Sequence, residues 1–122
     1  MSKKILFIED EFSLQKTLSQ MLQTNGYTVI SSLEGKGGVN LAKREKPDLI
    51  ILDLILPKMN GFEVLEELKK DEETKDIPVI VLTNLEDNQS IEKVLSYNVL
   101  HYFVKSNFTP HEIVEKINAF FK

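Results

Sequence analysis

Two kinds of segment alternate along the chain. Residues 4–8, 27–31, 49–52, 79–82 and 102–104 are short apolar runs rich in β-branched side chains. Runs without polar alternation predict strands covered on both faces, as in a parallel sheet. Between them lie segments with helical spacing. Phe12, Leu14, Leu18, Met21 and Leu22 fall near one face of a helix that Asn25-Gly26 closes. Phe62, Leu65 and Leu68 mark another, with Asn60 as its cap and Glu63 three residues on. Ile91, Val94 and Leu95 mark a further helix. Thr109-Pro110-His111-Glu112 then reads as a capping box with proline at the first helical position, opening a last helix through Phe121. The weakest helical pattern covers residues 36–45, because each interior glycine of Gly35-Lys36-Gly37-Gly38 costs about 1 kcal/mol relative to alanine. A glycine-rich phosphate cradle is the competing reading of that stretch; a loose helix start is preferred.

The order is strand then helix, five times over. It predicts an α/β fold: a doubly wound five-stranded parallel sheet with helices on both faces. In such sheets ligands sit beyond the carboxyl ends of the strands. Composition narrows the setting. A chain of 122 residues with 42% hydrophobic content supports one domain, residues 1–122. The absence of cysteine removes disulfides, thiolate metal sites and cysteine nucleophiles. A net charge of −4 without a basic patch argues against nucleic acid as a partner. The basic start Met1-Ser2-Lys3-Lys4 precedes only four apolar residues, too few for a signal peptide. The longest apolar stretch, 49–56, is interrupted by Asp53 and is far short of a membrane span. A cytoplasmic protein is expected.

The strand ends carry the chemistry. Glu9 and Asp10 follow the first strand, Asp53 the third, Thr83 the fourth and Lys105 the fifth. Taken singly, Asp10 reads as a helix cap, Thr83 with Glu86 as a capping box, and Lys105 as a solvated lysine. His101 and His111 have no partner at ligand spacing and read as surface residues. Asp53 resists such a reading, because an unpartnered carboxylate inside Leu49–Leu52 and Leu54-Ile55-Leu56 would cost several kcal/mol. Two carboxylates about 4 Å apart repel by roughly 4 kcal/mol at an effective dielectric near 20. Three acids and one ammonium therefore call for a hard divalent cation, and Mg²⁺ favours one or two carboxylates with water and substrate phosphate. With that ion, Lys105 and Thr83 around it, Asp53 has what a phosphoryl-accepting carboxylate requires.

At this point the chain resembles the receiver domain of two-component response regulators, over residues 4–121. The resemblance rests on Ile5-Leu6-Phe7-Ile8-Glu9-Asp10-Glu11, Pro47-Asp48-Leu49-Ile50-Ile51-Leu52-Asp53-Leu54, Pro57-Lys58-Met59-Asn60-Gly61, Pro78-Val79-Ile80-Val81-Leu82-Thr83 and Tyr102-Phe103-Val104-Lys105, in that order. It implies a flavodoxin-like sheet of order 2-1-3-4-5. It further implies that Asp53 takes phosphate from a histidine kinase or phosphotransfer protein, with Glu9, Asp10, Asp53 and the Ile55 backbone carbonyl holding Mg²⁺. Thr83 and Lys105 would contact the phosphoryl group, and Tyr102 would be the switch aromatic. The face of the fourth helix, fifth strand and fifth helix would then change its downstream protein partner, as a monomer or a phosphorylation-dependent dimer. No separate substrate is expected, so the protein is not expected to be an enzyme in its own right.

Several positions depart from the family pattern. Glu9 stands where Asp is more frequent. Asn84 stands where a small residue is usual, which would restrict access of small phosphodonors. Ile55 and Leu85 occupy positions that tune phosphate lifetime, and neither can orient water. Ser106 stands where proline is common; without proline a cis bond after Lys105 would cost about 3 kcal/mol or more, and the sequence leaves open whether that bond is cis. A stand-alone receiver is expected from a chain ending at Lys122, acting through a partner protein or a phosphorelay. Two other classes compete: an enzyme on the same architecture, either a flavodoxin or a Mg²⁺-dependent phosphatase, and a phosphorylation-independent binding scaffold. The acidic Glu9-Asp10-Glu11 loop disfavours the flavodoxin, Ile55 disfavours the phosphatase, and five filled chemical positions disfavour the scaffold.

Overall fold

A computed structural model describes residues 2–122; Met1, at the head of the basic start, lies outside the described residues. The elements follow in the predicted order. They are β1 (Lys4–Ile8), α1 (Phe12–Thr24), β2 (Thr28–Ser32), α2 (Gly35–Glu45), β3 (Leu49–Leu52) and α3 (Gly61–Lys70). Then come β4 (Val79–Thr83), α4 (Asn88–Leu95), β5 (His101–Val104), a single 3-10 turn (Lys105–Asn107) and α5 (Pro110–Phe121). The strands are parallel in the order β2-β1-β3-β4-β5.

Alternate residues of each central strand serve opposite faces. Ile5, Phe7, Leu49 and Ile51 pack with Leu18 and Leu22 of α1 and with Ile113, Val114 and Ile117 of α5. Leu6, Ile8, Ile50 and Leu52 pack with α2, α3 and Val94 of α4. This is why β1, β3 and β4 read as unbroken apolar runs. The prediction of full coverage fails at the edges. Thr28, Ser31 and His101 are exposed, because β2 and β5 each have a neighbour on one side only.

Local signals set the helix starts. Asn60 and Glu63 form the predicted capping box of α3, and Thr109 and Glu112 that of α5 with Pro110 in the first turn. The glycine run lies inside the first turn of α2, so the phosphate-cradle reading is set aside. A methyl group at Gly38 would overlap the Ile8 side chain, so glycine there lets α2 approach the end of β1. Phe12 departs from prediction: it is 63% exposed, while Gln15, Leu18 and Leu22 form the buried stripe of α1. Phe12 is the first helical residue, at the level of the strand ends, where no strand lies beneath it.

Candidate functional site

Strand register brings two acids together. Ile8 pairs with Leu52 across β1 and β3, so Glu9 and Asp53 leave neighbouring strands side by side. The Asp53 N–H still donates to the Ile8 carbonyl at 3.0 Å, and the Glu9 N–H to that of Ser32 at 3.0 Å. Glu9 is fully buried and Asp53 nearly so, whereas Asp10 sits on an exposed bend. One carboxylate oxygen from each of Glu9, Asp10 and Asp53 lies within 4.8 Å of the others.

Lys105 reaches back over β4, across two strand spacings or roughly 10 Å. Its Nζ donates to Asp53 Oδ2 at 2.9 Å and lies 2.8 Å from Glu9 Oε1, with Glu11 Oε1 at 3.8 Å. Asp53 Oδ1 accepts from the Ile55 N–H at 3.1 Å, and Glu9 Oε2 from the Glu11 N–H at 3.1 Å. The contact at Glu9 Oε1 is one of charge: no donor meets that buried oxygen at a hydrogen-bonding angle. An under-coordinated buried carboxylate oxygen beside two other carboxylates fits a hard cation with oxygen ligands. Burial pushes the Glu9 carboxyl up to about 7; the Lys105 contact opposes this and the Asp53 charge adds to it. Burial alone would lower Lys105, but its contacts with Asp53 and Glu9 outweigh that and raise it.

The other predicted positions lie on β4, on β5 and in the segments that follow β3 and β4. Thr83 ends β4, fully buried and paired in register with Val104, the residue before Lys105. It does not cap α4: Asp87 does, accepting from the Ser90 N–H at 3.0 Å. Asp10 caps nothing either, since Glu11 holds the cap position of α1 without a side-chain bond. Tyr102 is half-buried and its hydroxyl donates to the Leu85 carbonyl at 2.6 Å. Burial, with the charges of Asp87 and Asp53, pushes that phenol up.

Asn84 is exposed, and its Oδ1 accepts from the Ser106 N–H at 3.2 Å, tying the β4–α4 loop to the 3-10 turn. Proline at 106 could not make that bond. No peptide is cis among the described residues, the Lys105–Ser106 bond included. Ile55 is 53% exposed and Leu85 half-buried. His101 and His111 are exposed, as predicted.

Two contributors escaped the sequence. Glu11 completes the shell around Lys105 and donates its N–H to Glu9. The Gln15 amide is buried and donates to the carbonyls of both Glu9 and Ser32 at 3.0 Å. A polar residue three before Leu18 on the buried stripe of α1 was the available signal.

Relatives agree with this architecture. A "Probable transcriptional regulator ycf27" of Porphyridium aerugineum is 38% identical over 117 residues, 96% of this chain and 47% of that protein. "Protein PilH" of Pseudomonas aeruginosa is 38% identical over 91 residues, covering 75% of this chain and 74% of PilH. The crystal structure of the Mn²⁺-bound form of response regulator Rcp1 superposes with a TM-score of 0.83 at 30% identity, over 98% of this chain and 94% of that one. The chain spans about half the length of several curated relatives it matches. The response regulator receiver domain family matches residues 5–118, with the fold, strand order and acidic cluster described above. The chain belongs to that family.

Proposed function

We propose that Asp53 accepts a phosphoryl group from the phosphohistidine of a histidine kinase or phosphotransfer protein. Receiver domains are signalling modules, not enzymes that convert a separate substrate. The observation that carries the reading is the meeting of three carboxylates within 4.8 Å, one of them held by Lys105 at 2.9 Å. An Asp53 oxygen attacks phosphorus as the phosphorus–nitrogen bond breaks. The bonding pair leaves with the imidazole nitrogen, which takes up a proton, and an acyl phosphate remains on Asp53. The Ile55 N–H and Lys105 hold the two carboxylate oxygens in place before attack.

Glu9, Asp10, Asp53 and the Ile55 carbonyl are the groups that would hold Mg²⁺. When bound, the ion supplies positive charge that offsets the carboxylates and the incoming phosphoryl oxygens. The Mn²⁺-bound Rcp1 structure supports a divalent cation here. Lys105 and the Thr83 hydroxyl offer donors to phosphoryl oxygens. Asn84, latched to Ser106, narrows the approach for small donors. Added phosphoryl charge then biases Thr83, the β4–α4 loop and Tyr102, and with them the face of α4, β5 and α5, where Leu95 is 52% exposed. That face meets a downstream protein, as a monomer or as a dimer formed on phosphorylation. A cytoplasmic location fits the reading, and no helix among the described residues is long and apolar enough to cross a membrane.

Mass measurement after incubation with phosphohistidine donors and Mg²⁺ tests it. The wild-type chain should gain one phosphoryl group and Asp53→Asn none. Equal labelling of both would move the acceptor elsewhere, and labelling of neither would favour a scaffold.

A further inference from the structure

We infer that Gln15 is a positioning residue for the acidic pair Glu9-Asp10, acting through the backbone of β1's last turn into α1. The inference rests on the metal reading above and deepens it. Gln15 is the one polar residue in the buried set of α1. Its amide nitrogen spends both protons on carbonyl oxygens, those of Glu9 and Ser32, each at 3.0 Å. The Glu9 N–H already donates to Ser32 at 3.0 Å. Glu9 is therefore tied by its N–H to β2 and by its C=O to α1.

That second tie has a direct consequence for Asp10. The Glu9 carbonyl belongs to the peptide unit that carries the Asp10 nitrogen, and a peptide unit moves as a plane. Fixing the carbonyl direction fixes where Asp10 leaves the chain. Asp10 has no other restraint of this kind: it lies on an exposed bend, and its carboxylate makes no hydrogen bond or ion pair among the described residues. Glu9, by contrast, has its carboxylate fixed locally by Glu11 and Lys105. Removing the Gln15 amide should thus loosen Asp10 more than Glu9, while leaving a buried carbonyl with one partner fewer. Groups one step removed from a metal's ligands commonly change affinity 10–100-fold when removed.

Gln15→Met keeps the length and approximate volume and deletes both donors. Wild-type and variant chains of residues 1–122 are titrated with Mg²⁺ alone by calorimetry, and their amide spectra are recorded without metal. The variant should stay folded, bind Mg²⁺ at least tenfold more weakly, and shift the Asp10 and Glu11 amides while those of β4 stay in place. A variant that loses thermal stability but binds Mg²⁺ within twofold of wild type makes Gln15 merely structural and overturns the inference. Wild type that takes up no Mg²⁺ overturns the metal reading itself. Should Gln15→Met fail to fold, the side-chain NH₂ resonances of Gln15 in wild type decide. They must move with the same Mg²⁺ midpoint as the Asp10 amide, and resonances that stay still overturn the inference.

Discussion

Lys105 Nζ stands 2.8 Å from Glu9 Oε1, the buried carboxylate oxygen that has no hydrogen-bond donor. The ammonium thereby occupies part of the space a divalent ion would share with the same oxygen. One positive charge offsets three acids incompletely, so lysine and metal compete for one cluster of negative charge.

Replacing Lys105 with Met removes the competitor. Mg²⁺ affinity should rise about tenfold, equivalent to ~1.4 kcal/mol, as read by calorimetric titration near neutral pH. The same variant should melt at lower temperature without metal and accept phosphate more slowly, since a donor to the phosphoryl oxygens is gone. Unchanged Mg²⁺ affinity would show that the ammonium does not share the ion's place.

The raised Glu9 carboxyl makes metal-free stability depend on pH. Its value is about 7 in the folded protein and 4.5 in the unfolded chain, so between them the folded state holds a proton that the unfolded state releases. Stability from this group is therefore full below about 4.5 and falls as pH rises toward 7. The loss has a ceiling of about 3 kcal/mol. Lys105, raised, contributes below its own high range and adds no slope in this window. Thermal melts in chelator from pH 4.5 to 7.5 should show the decline, Glu9→Gln should flatten it, and Mg²⁺ should reverse it. A midpoint that rises with pH in the chelated wild type would contradict the assignment.

The parts legible in the sequence are those set by local or periodic rules. β1, β3 and β4 are plain because both faces are buried and every residue but Lys4 and Thr83 is apolar; the capping boxes at Asn60 and Thr109 are plain because their partners lie three residues apart. Glu9, Asp53 and Lys105 could be placed together because parallel strands align their carboxyl ends. What escaped depends on the path of loop backbone. The Ile55 N–H on Asp53, the Asn84 latch to Ser106 and the Gln15 amide on Glu9 join atoms whose approach no spacing encodes. Phe12 misled for a related reason, since helical spacing does not say where the sheet beneath ends.

Tyr102 joins β5 to the β4–α4 loop through one hydrogen bond, from its hydroxyl to the Leu85 carbonyl at 2.6 Å. Tyr102→Phe keeps the ring and deletes that bond. It should cost about 1 kcal/mol of stability and speed amide hydrogen exchange at Leu85 and Asp87, while leaving phosphate acceptance at Asp53 intact. Exchange unchanged in that loop would mean that the hydroxyl does not restrain it.

Loss of phosphate from Asp53 requires water held in line with phosphorus, and the residues nearest that approach decide the rate. Ile55 lies two residues beyond Asp53, 53% exposed, with its N–H committed to Asp53 Oδ1 and a side chain that offers neither donor nor acceptor. Leu85, two beyond Thr83, is also apolar, and its carbonyl is engaged by Tyr102. Water at the site therefore has no side chain at either position to orient it, and the phosphorylated wild type should persist for minutes or longer. Ile55→Asn or Leu85→Gln supplies an amide that can hold such a water, and each should shorten the lifetime about tenfold through positioning alone. Phosphorus NMR of the isolated phosphoprotein measures both. Hydrolysis of the wild type within seconds would show that some group other than these two side chains already orients the attacking water.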